Sequence, residues 1–310
     1  MNNNFLLSII IPVYNEQENI IPLLKRLIPV IKKYHYEIIF VDDGSKDKTC
    51  EQIKKQSEKN SQIKLISFYR NFGHQMALSA GYQNAKGDAV VSIDADLQDP
   101  PEIIPKMINQ WEKGAKVVYA KRNQRQGETI FKKLTASFFY QLINFLSDVL
   151  IPQEVGDFRL LDKEVVNFLN NLPESSRFLR GLVSWSSYPS AYVYFEREKR
   201  FSGKTHYGFL KMLNFALEGI TSFSTKPLRI ATYFGFLSGI FGFFGIIYKL
   251  IEKILYPQQF TVGWAGLFTA IMFLGGIQLI TIGIIGEYIG KIYKEIQKRP
   301  MYLIKEKVNL

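Results

Sequence analysis

Residues 89–102 read AVVSIDADLQDPPE, and the way that stretch is built decides the fold. An apolar run of strand length ends in three carboxylates, Asp94, Asp96 and Asp99, before Pro100 and Pro101 break the chain. A short run able to be buried on both faces, followed by a polar loop and a helix-length stretch with proline in its first turn, is half of a strand–helix–strand unit. The pattern recurs along the first part of the chain. Strands are expected at residues 6–13, 37–41, 64–69, 89–94 and 116–120, and amphipathic helices between them at 18–33, 47–59, 74–85 and 101–112. This alternation predicts an α/β protein with a mostly parallel sheet and helices on both faces.

Ligands of such a sheet bind beyond the carboxyl ends of its strands. Three of the expected strands end in acid-bearing loops: VYNEQEN (13–19), VDDGSKDKT (41–49) and DADLQDPPE (94–102). Asp99, ahead of two prolines, reads as a helix N-cap. Asp94 and Asp96 do not. As alternate residues at a strand end their carboxylates repel one another unless a cation lies between them, and a hard divalent ion, Mg²⁺ or Mn²⁺, suits such oxygens and shares its shell readily with substrate phosphates. The histidines, His35, His74 and His206, are too scattered for a zinc motif. Ser202-Gly203-Lys204-Thr205 imitates the end of a phosphate-binding loop, but Glu198 stands where the first glycine is required. No glycine-rich dinucleotide fingerprint follows the first strand.

A formal net charge of +11 suggests an anionic partner: nucleic acid, a phosphorylated substrate or a membrane surface. Cys50 stands alone, which excludes an intrachain disulfide. The N-terminal run MNNNFLLSIIIPVYNE lacks a basic leader and a small-residue cleavage site, so it reads as a strand and the first two thirds are expected in the cytoplasm. Composition then changes. Residues 230–248 and 265–286 are uncharged and long enough to cross a hydrocarbon core of ~30 Å as helices. With a short connection between them they form a helical hairpin with both ends on one side. Lys226 and Arg229 before it, and Lys291, Lys294, Lys298 and Arg299 after it, put both ends in the cytoplasm, although Lys249 and Lys253 in the connection weaken the contrast. The whole is expected to be an integral plasma-membrane protein.

The motifs IIPVYNEQENI, VDDGSKDKT, RNFGHQMALSAGY and SIDADLQDPPE, in that order, resemble the family 2 glycosyltransferases with the GT-A fold. The later segments VGDFRLLD, EREKRFSGKTHYG and SFSTKPLR, followed by two spans, are similar to the polyprenyl-phosphate glycosyltransferases, the bactoprenol glucosyltransferase and dolichol-phosphate mannose synthase groups. His206 departs from the pattern, where relatives usually carry lysine.

The resemblance implies transfer of a hexose from a nucleotide sugar, UDP-glucose first and GDP-mannose second, to a polyprenyl (undecaprenyl) phosphate, with inversion. It implies Mg²⁺ or Mn²⁺ at Asp94, Asp96 and Gln98, neutralising charge on the diphosphate as the sugar bond breaks. Asp43 would read the uracil ring, and Pro12, Tyr14 and Glu16 would line the nucleoside pocket with Asp94. Arg122, Arg159, Arg200 and Lys204 would meet acceptor phosphate or diphosphate. Asp157 is the residue singled out as catalytic. Because a phosphate monoester has a second pKa near ~6, the acceptor needs little help from a base, and Asp157 is expected either to align it, through Arg159, or to take a residual proton.

The lipid acceptor calls for contact with membrane lipids. Leu134, Phe138, Leu142, Phe145 and Val149 share one helical face behind Arg122, Arg125, Lys132 and Lys133, and Phe209, Leu213, Ala216, Leu217 and Ile220 share another; both suit the lipid interface, or else pack on the sheet. The expected organisation is a nucleotide-sugar-binding core at 1–125, the rest of the catalytic domain at 126–228, two membrane helices at 229–294 and a cytoplasmic tail at 295–310. A homo-oligomer is expected, and no nucleic-acid partner. A processive polysaccharide synthase would need more spans and a Gln-x-x-Arg-Trp motif, and the neighbours of Trp111, Trp185 and Trp264 do not supply one. A non-catalytic sugar-nucleotide sensor would not need Asp94, Asp96, Asp157 and Arg200 together.

Overall fold

The computed structural model describes residues 5–123, 155–175, 177–196, 221–255 and 263–310. The amphipathic stretches expected at 131–150 and 209–220, and Arg125, Arg200 and Lys204 with them, lie outside the described residues.

Among the described residues the five expected strands and three more assemble into one eight-stranded mixed sheet. β1 (Leu6–Val13) pairs in parallel with β2 (His35–Asp42) on one side and β4 (Ala89–Ser92) on the other, and β2 continues to β3 (Ile63–Phe68). Beyond β4 lies β6 (Val155–Asp162), antiparallel to both β4 and β5 (Val117–Arg122), and β7 (Ser190–Phe195) closes that edge in parallel with β5. Alternation along β1 sorts the core into two faces. Leu7, Ile9, Ile11 and Val13 point to the side covered by α1 (Ile20–Ile31), α2 (Thr49–Lys59) and α4 (Ile104–Glu112), with Leu23, Leu27, Ile53 and Met107 packed there. Ile10 points to the other side, covered by α3 (His74–Asn84), α5 (Lys163–Asn171) and α6 (Leu179–Trp185), through Leu78, Val166, Leu169 and Leu182. On that side α3 lies so close that a Cβ on Gly81 would sit 2.2 Å from Cγ2 of Ile10.

Two sequence expectations are corrected. The first concerns Asp99. The cap position before the helical turn Pro101–Ile103 is Pro100, with no side-chain cap bond, and the Asp99 carboxylate instead lies 3.5 Å from the Arg122 guanidinium. The second concerns residues 295–310, read as a tail. They return to the sheet as the edge strand β8 (Ile304–Val308), antiparallel to β3. Tyr302 stacks on Phe68 at 4.8 Å between ring centroids, Asn309 donates to the carbonyls of Ser57 and Ile63, and Leu310 packs on the same cluster. Apolar contacts spaced for a strand explain the return. The three consecutive charges between Ile304 and Val308 in IKEKV masked it in the sequence.

Between β7 and β8 in the chain the described residues hold two long helices, α7 (Lys226–Leu255) and α8 (Trp264–Ile296), which contain the two expected apolar runs and pack on one another. Their most apolar 18-residue windows are 6 % and 0 % buried. They are therefore not core helices, and both are long and apolar enough to cross a membrane.

Candidate active site

Parallel neighbours on both sides of β1 make the gap between β1 and β4 the point where a crevice opens at the carboxyl edge. Pro12 marks it. Ile10 still gives its carbonyl to Ile93 on the β4 side, and Pro12, of the same parity, lies past the last β1–β4 pair, where no ladder N–H is required. β4 leaves the sheet there and carries Asp94 and Asp96 into the loop.

That loop is bent under strain. Leu97 takes the left-handed conformation, φ +61°, which costs a non-glycine residue on the order of 1 kcal/mol or more. The bend lets the buried Asp96 carboxylate accept from the Gln98 amide at 3.1 Å. Asp94 is 37 % exposed. Its sheltered setting, together with the charges of Asp157 and Asp96, pushes its carboxyl above the ordinary value despite His74 and Arg180. Repulsion of this kind is relieved by a cation. Among the described residues no three His, Cys, Asp or Glu side chains are gathered as a complete metal site. The donor set that does exist, two carboxylates beside Gln98, fits a hard divalent ion that takes its other ligands from water and a diphosphate.

Asp157 reaches the same place from β6, the strand beside β4. In the antiparallel β4–β6 ladder Ser92 faces Arg159, so two residues on from Ser92 and two residues back from Arg159, Asp94 comes opposite Asp157. The Asp157 side chain is 3 % exposed and is gripped from all round. Arg159 Nη2 donates to Oδ1; Arg180 donates through Nε to Oδ1 at 3.2 Å and through Nη2 to Oδ2 at 2.9 Å. His74 Nε2 lies 3.2 Å from Oδ2, and the Gln75 amide at 3.5 Å. Burial raises the Asp157 carboxyl, but Arg180, His74 and Arg159 outweigh it and hold it well below the usual carboxylate range. His74 also stands 3.7 Å from Asp94; desolvation lowers it, and the bond to Asp157 with the charges of Asp94 and Asp157 raises it overall.

Of the cations expected at a phosphate, Arg159 is 1 % exposed and turned onto Asp157. Arg122, at the end of β5, is partly exposed, pairs with Asp99 and lies against Gly156. Arg180, which reaches Asp157 while still 31 % exposed, was not singled out in the sequence, nor were His74 and Gln75 as partners of a carboxylate. Their common signal is the HQ pair opening α3 at the carboxyl edge. Arg180 lies in no motif and is found only through the fold.

The third part of the site is the loop pair after β1 and β2. Asn15 bonds Ser45 and Lys46, Glu16 bonds Thr49, and Gln17 bonds Asp47 and Lys48, so the two loops are laced together. Gly44, at φ +72°, passes the Arg70 backbone so closely that a Cβ would lie 2.5 Å from its carbonyl carbon. Asp43 is buried, which raises its carboxyl against the pull of the Phe72 and Gly73 amides donating to it at 2.6 and 2.9 Å. Tyr14 projects exposed beside this wall, Pro12 is buried in β1, and Glu16 accepts from Asn19.

A strand-edge crevice with paired carboxylates on one side and a laced loop pair on the other is the architecture of a nucleotide-sugar glycosyltransferase of the GT-A type. The Glycosyl transferase family 2 profile matches residues 8–169 and the GtrB C-terminal hairpin profile residues 226–292; the chain belongs to glycosyltransferase family 2. It is 46 % identical over 302 residues to an uncharacterized glycosyltransferase of Synechocystis, covering 97 % of this chain and 95 % of that one. It is 44 % identical over 308 residues to the uncharacterized glycosyltransferase YkcC of Bacillus subtilis, covering 99 % and 95 %. With the SfII prophage-derived bactoprenol glucosyl transferase of Shigella flexneri it shares 43 % over 302 residues, 97 % of each chain.

Proposed function

We propose that the protein transfers a hexose, glucose from UDP-glucose, to a polyprenyl phosphate at the cytoplasmic membrane face, with inversion at the anomeric carbon. The observation that carries the reading is the meeting of Asp94 and Asp96 with the Asp157–Arg180–His74 group at one crevice. One wall offers carboxylates for a cation and diphosphate. The other offers a cationic face held rigid by Asp157.

In the reaction an oxygen of the acceptor phosphate forms the bond to the anomeric carbon, and the bond from that carbon to the diphosphate breaks, its electron pair leaving with the nucleoside diphosphate. A dianionic acceptor has no proton to lose. Asp94 and Asp96, with Gln98 beside them, would hold a divalent cation, which would supply charge neutralisation for the leaving group. Asp157 acts by fixing Arg180, whose exposed flank and Arg122 nearby suit the acceptor phosphate, while Asp43 with Pro12, Tyr14 and Glu16 forms the nucleoside end. Arg200 and Lys204 complete the acceptor side by resemblance. Support for the membrane reading comes from β8: a chain that leaves the sheet domain at α7 and re-enters the same sheet after α8 must cross a bilayer an even number of times. The similarity to the bactoprenol enzyme of Shigella flexneri supports the acceptor class.

The test is a single-turnover assay with labelled UDP-glucose, Mn²⁺ and a short-chain polyprenyl phosphate. A lipid-linked monosaccharide is expected. Polymer as the product, or donor binding without transfer, would overturn the reading, and the same assay with GDP-mannose decides the sugar.

A further inference from the structure

The last turns of α8 are fastened to the catalytic domain at three places. Tyr288 donates its hydroxyl to the Ser224 carbonyl at 2.6 Å, and Lys291 donates to the Ser222 hydroxyl at 2.9 Å. Both ties close the helical hairpin on its own entry. Glu295 does something else. Its two carboxylate oxygens accept from the backbone amide of Ser175 at 3.2 and 3.0 Å, in the connection between α5 and α6. A carboxylate in the final turn of a helix opposes the macrodipole, so its position there is not explained by the helix that carries it.

The connection it holds leads directly to Asp157. The buried Arg177 braces it by donating to the carbonyls of Leu172 and Glu174 at 2.9 and 3.2 Å. Phe178, buried, meets the Phe223 ring at 6.0 Å, and Phe223 also closes on Gly181, where a Cβ would come within 2.3 Å. The Leu179 amide then donates to the Gln75 side chain at 3.1 Å, and Gln75 turns its own amide toward Asp157. Arg180 follows with its two bonds to the same carboxylate.

We propose that Glu295 is a positioning residue for the transfer reaction: from the end of the second long helix it holds the Ser175 amide, and through the braced turn before α6 it seats Arg180 on Asp157. The hairpin is thereby part of the active-site support and not only an anchor. The proposal rests on the transferase reading for its kinetic test, and on geometry alone for its structural one.

The experiment compares full-length wild type, Glu295→Ala and Glu295→Gln in liposomes, measuring transfer from UDP-glucose to a polyprenyl phosphate together with hydrogen exchange by mass spectrometry. For Glu295→Ala kcat is expected to fall between about tenfold and about a hundredfold, as for a catalytic group displaced by about an ångström, with the KM for UDP-glucose unchanged. Exchange at the amides of Leu179 and Arg180 should rise while that of β1 and β2 stays as in wild type. Glu295→Gln, which keeps an acceptor oxygen for the Ser175 amide, should restore most of kcat. An unchanged kcat in Glu295→Ala, unaltered exchange at those amides, or a loss shared by β1 and β2 or not restored by glutamine overturns the proposal. If the wild type transfers no sugar to any lipid phosphate, the transferase reading fails, and the exchange comparison still decides the link from Glu295 to Arg180.

Discussion

Arg180 holds the Asp157 carboxylate with two nitrogens, Nε on Oδ1 at 3.2 Å and Nη2 on Oδ2 at 2.9 Å, while Arg159 also donates to Oδ1. A carboxylate used in this way has its lone pairs committed and its pKa held well below the ordinary range. Such a group is a poor proton acceptor and a good rigid support.

Asp157→Asn distinguishes support from proton transfer. If Asp157 aligns Arg180, the variant should lose about a hundredfold or more in kcat at pH 6, 7 and 8, with no recovery as the acceptor phosphate deprotonates, because the lost support is geometric. If it were a base, the loss would shrink as pH rises past the acceptor phosphate pKa of about 6. Rate against pH with both substrates saturating makes the comparison, and recovery toward wild type by about pH 8 would sink the alignment role.

The metal is tested at Asp96. Asp96→Asn keeps the acceptor for the Gln98 amide and removes one negative charge from a cluster that repels itself without a cation. The variant should fold as well as wild type, by thermal denaturation, yet lose Mn²⁺ binding by calorimetry and at least about a hundredfold in turnover. Near wild-type turnover with Mn²⁺ would refute the assignment.

The parts of the fold that could be read directly were those whose signal is local. The first five strands and first four helices stand within a few residues of their expected places, because an apolar run or an amphipathic face is visible in its own sequence. β6 carries a buried arginine and an aspartate in VGDFRLLD, a composition unlike a central strand; the two pair with each other along one strand, but the strands that bury them, β4 on one side and β5 on the other, are not recorded in the segment itself. The same reason hid Arg180. Its partner is supplied by another element, and no spacing in the chain records that. β8 was hidden by three consecutive charges that serve an edge strand well, keeping further chains from pairing with it.

β8 leads to a prediction about truncation. A chain stopped after Arg299 keeps both long helices and Glu295 but loses the Tyr302–Phe68 stack, the Lys54–Glu306 pair and the bonds of Asn309. It also leaves β3 as a bare edge. Removing one buried aromatic alone costs roughly 3–5 kcal/mol when fully packed and less at a partly exposed site such as Tyr302. The truncated protein should therefore melt several degrees lower and aggregate on heating, while Tyr302→Ala should show a smaller part of the shift. Equal melting temperatures for the truncated and full-length proteins would show that β8 contributes nothing to the sheet.

The last prediction concerns acid. Glu37 sits in β2 at the end of the sheet opposite the crevice, buried, accepting from the Ser8 hydroxyl, from Lys64 at 2.6 Å and from the Lys86 amide at 2.8 Å. Burial raises its carboxyl, yet Lys64, Ser8 and the Lys86 amide together lower it below the ordinary value. A carboxylate with a folded pKa below its unfolded one of about 4.3 stabilises the native state at pH values above the unfolded pKa. That contribution disappears as pH falls through the folded pKa, when the proton binds in both states. Glu37→Gln should therefore be less stable than wild type at pH 7, by about 1–3 kcal/mol for the lost bonds of a buried charged group, and the two stabilities should converge below about pH 4. Urea titrations of both proteins at pH 7, 5 and 3.5 measure this. A gap that stays constant down to pH 3.5 would mean that the charge on Glu37 contributes nothing, and that shape and hydrogen bonding alone hold that end of β1, β2 and the loop before β4 together.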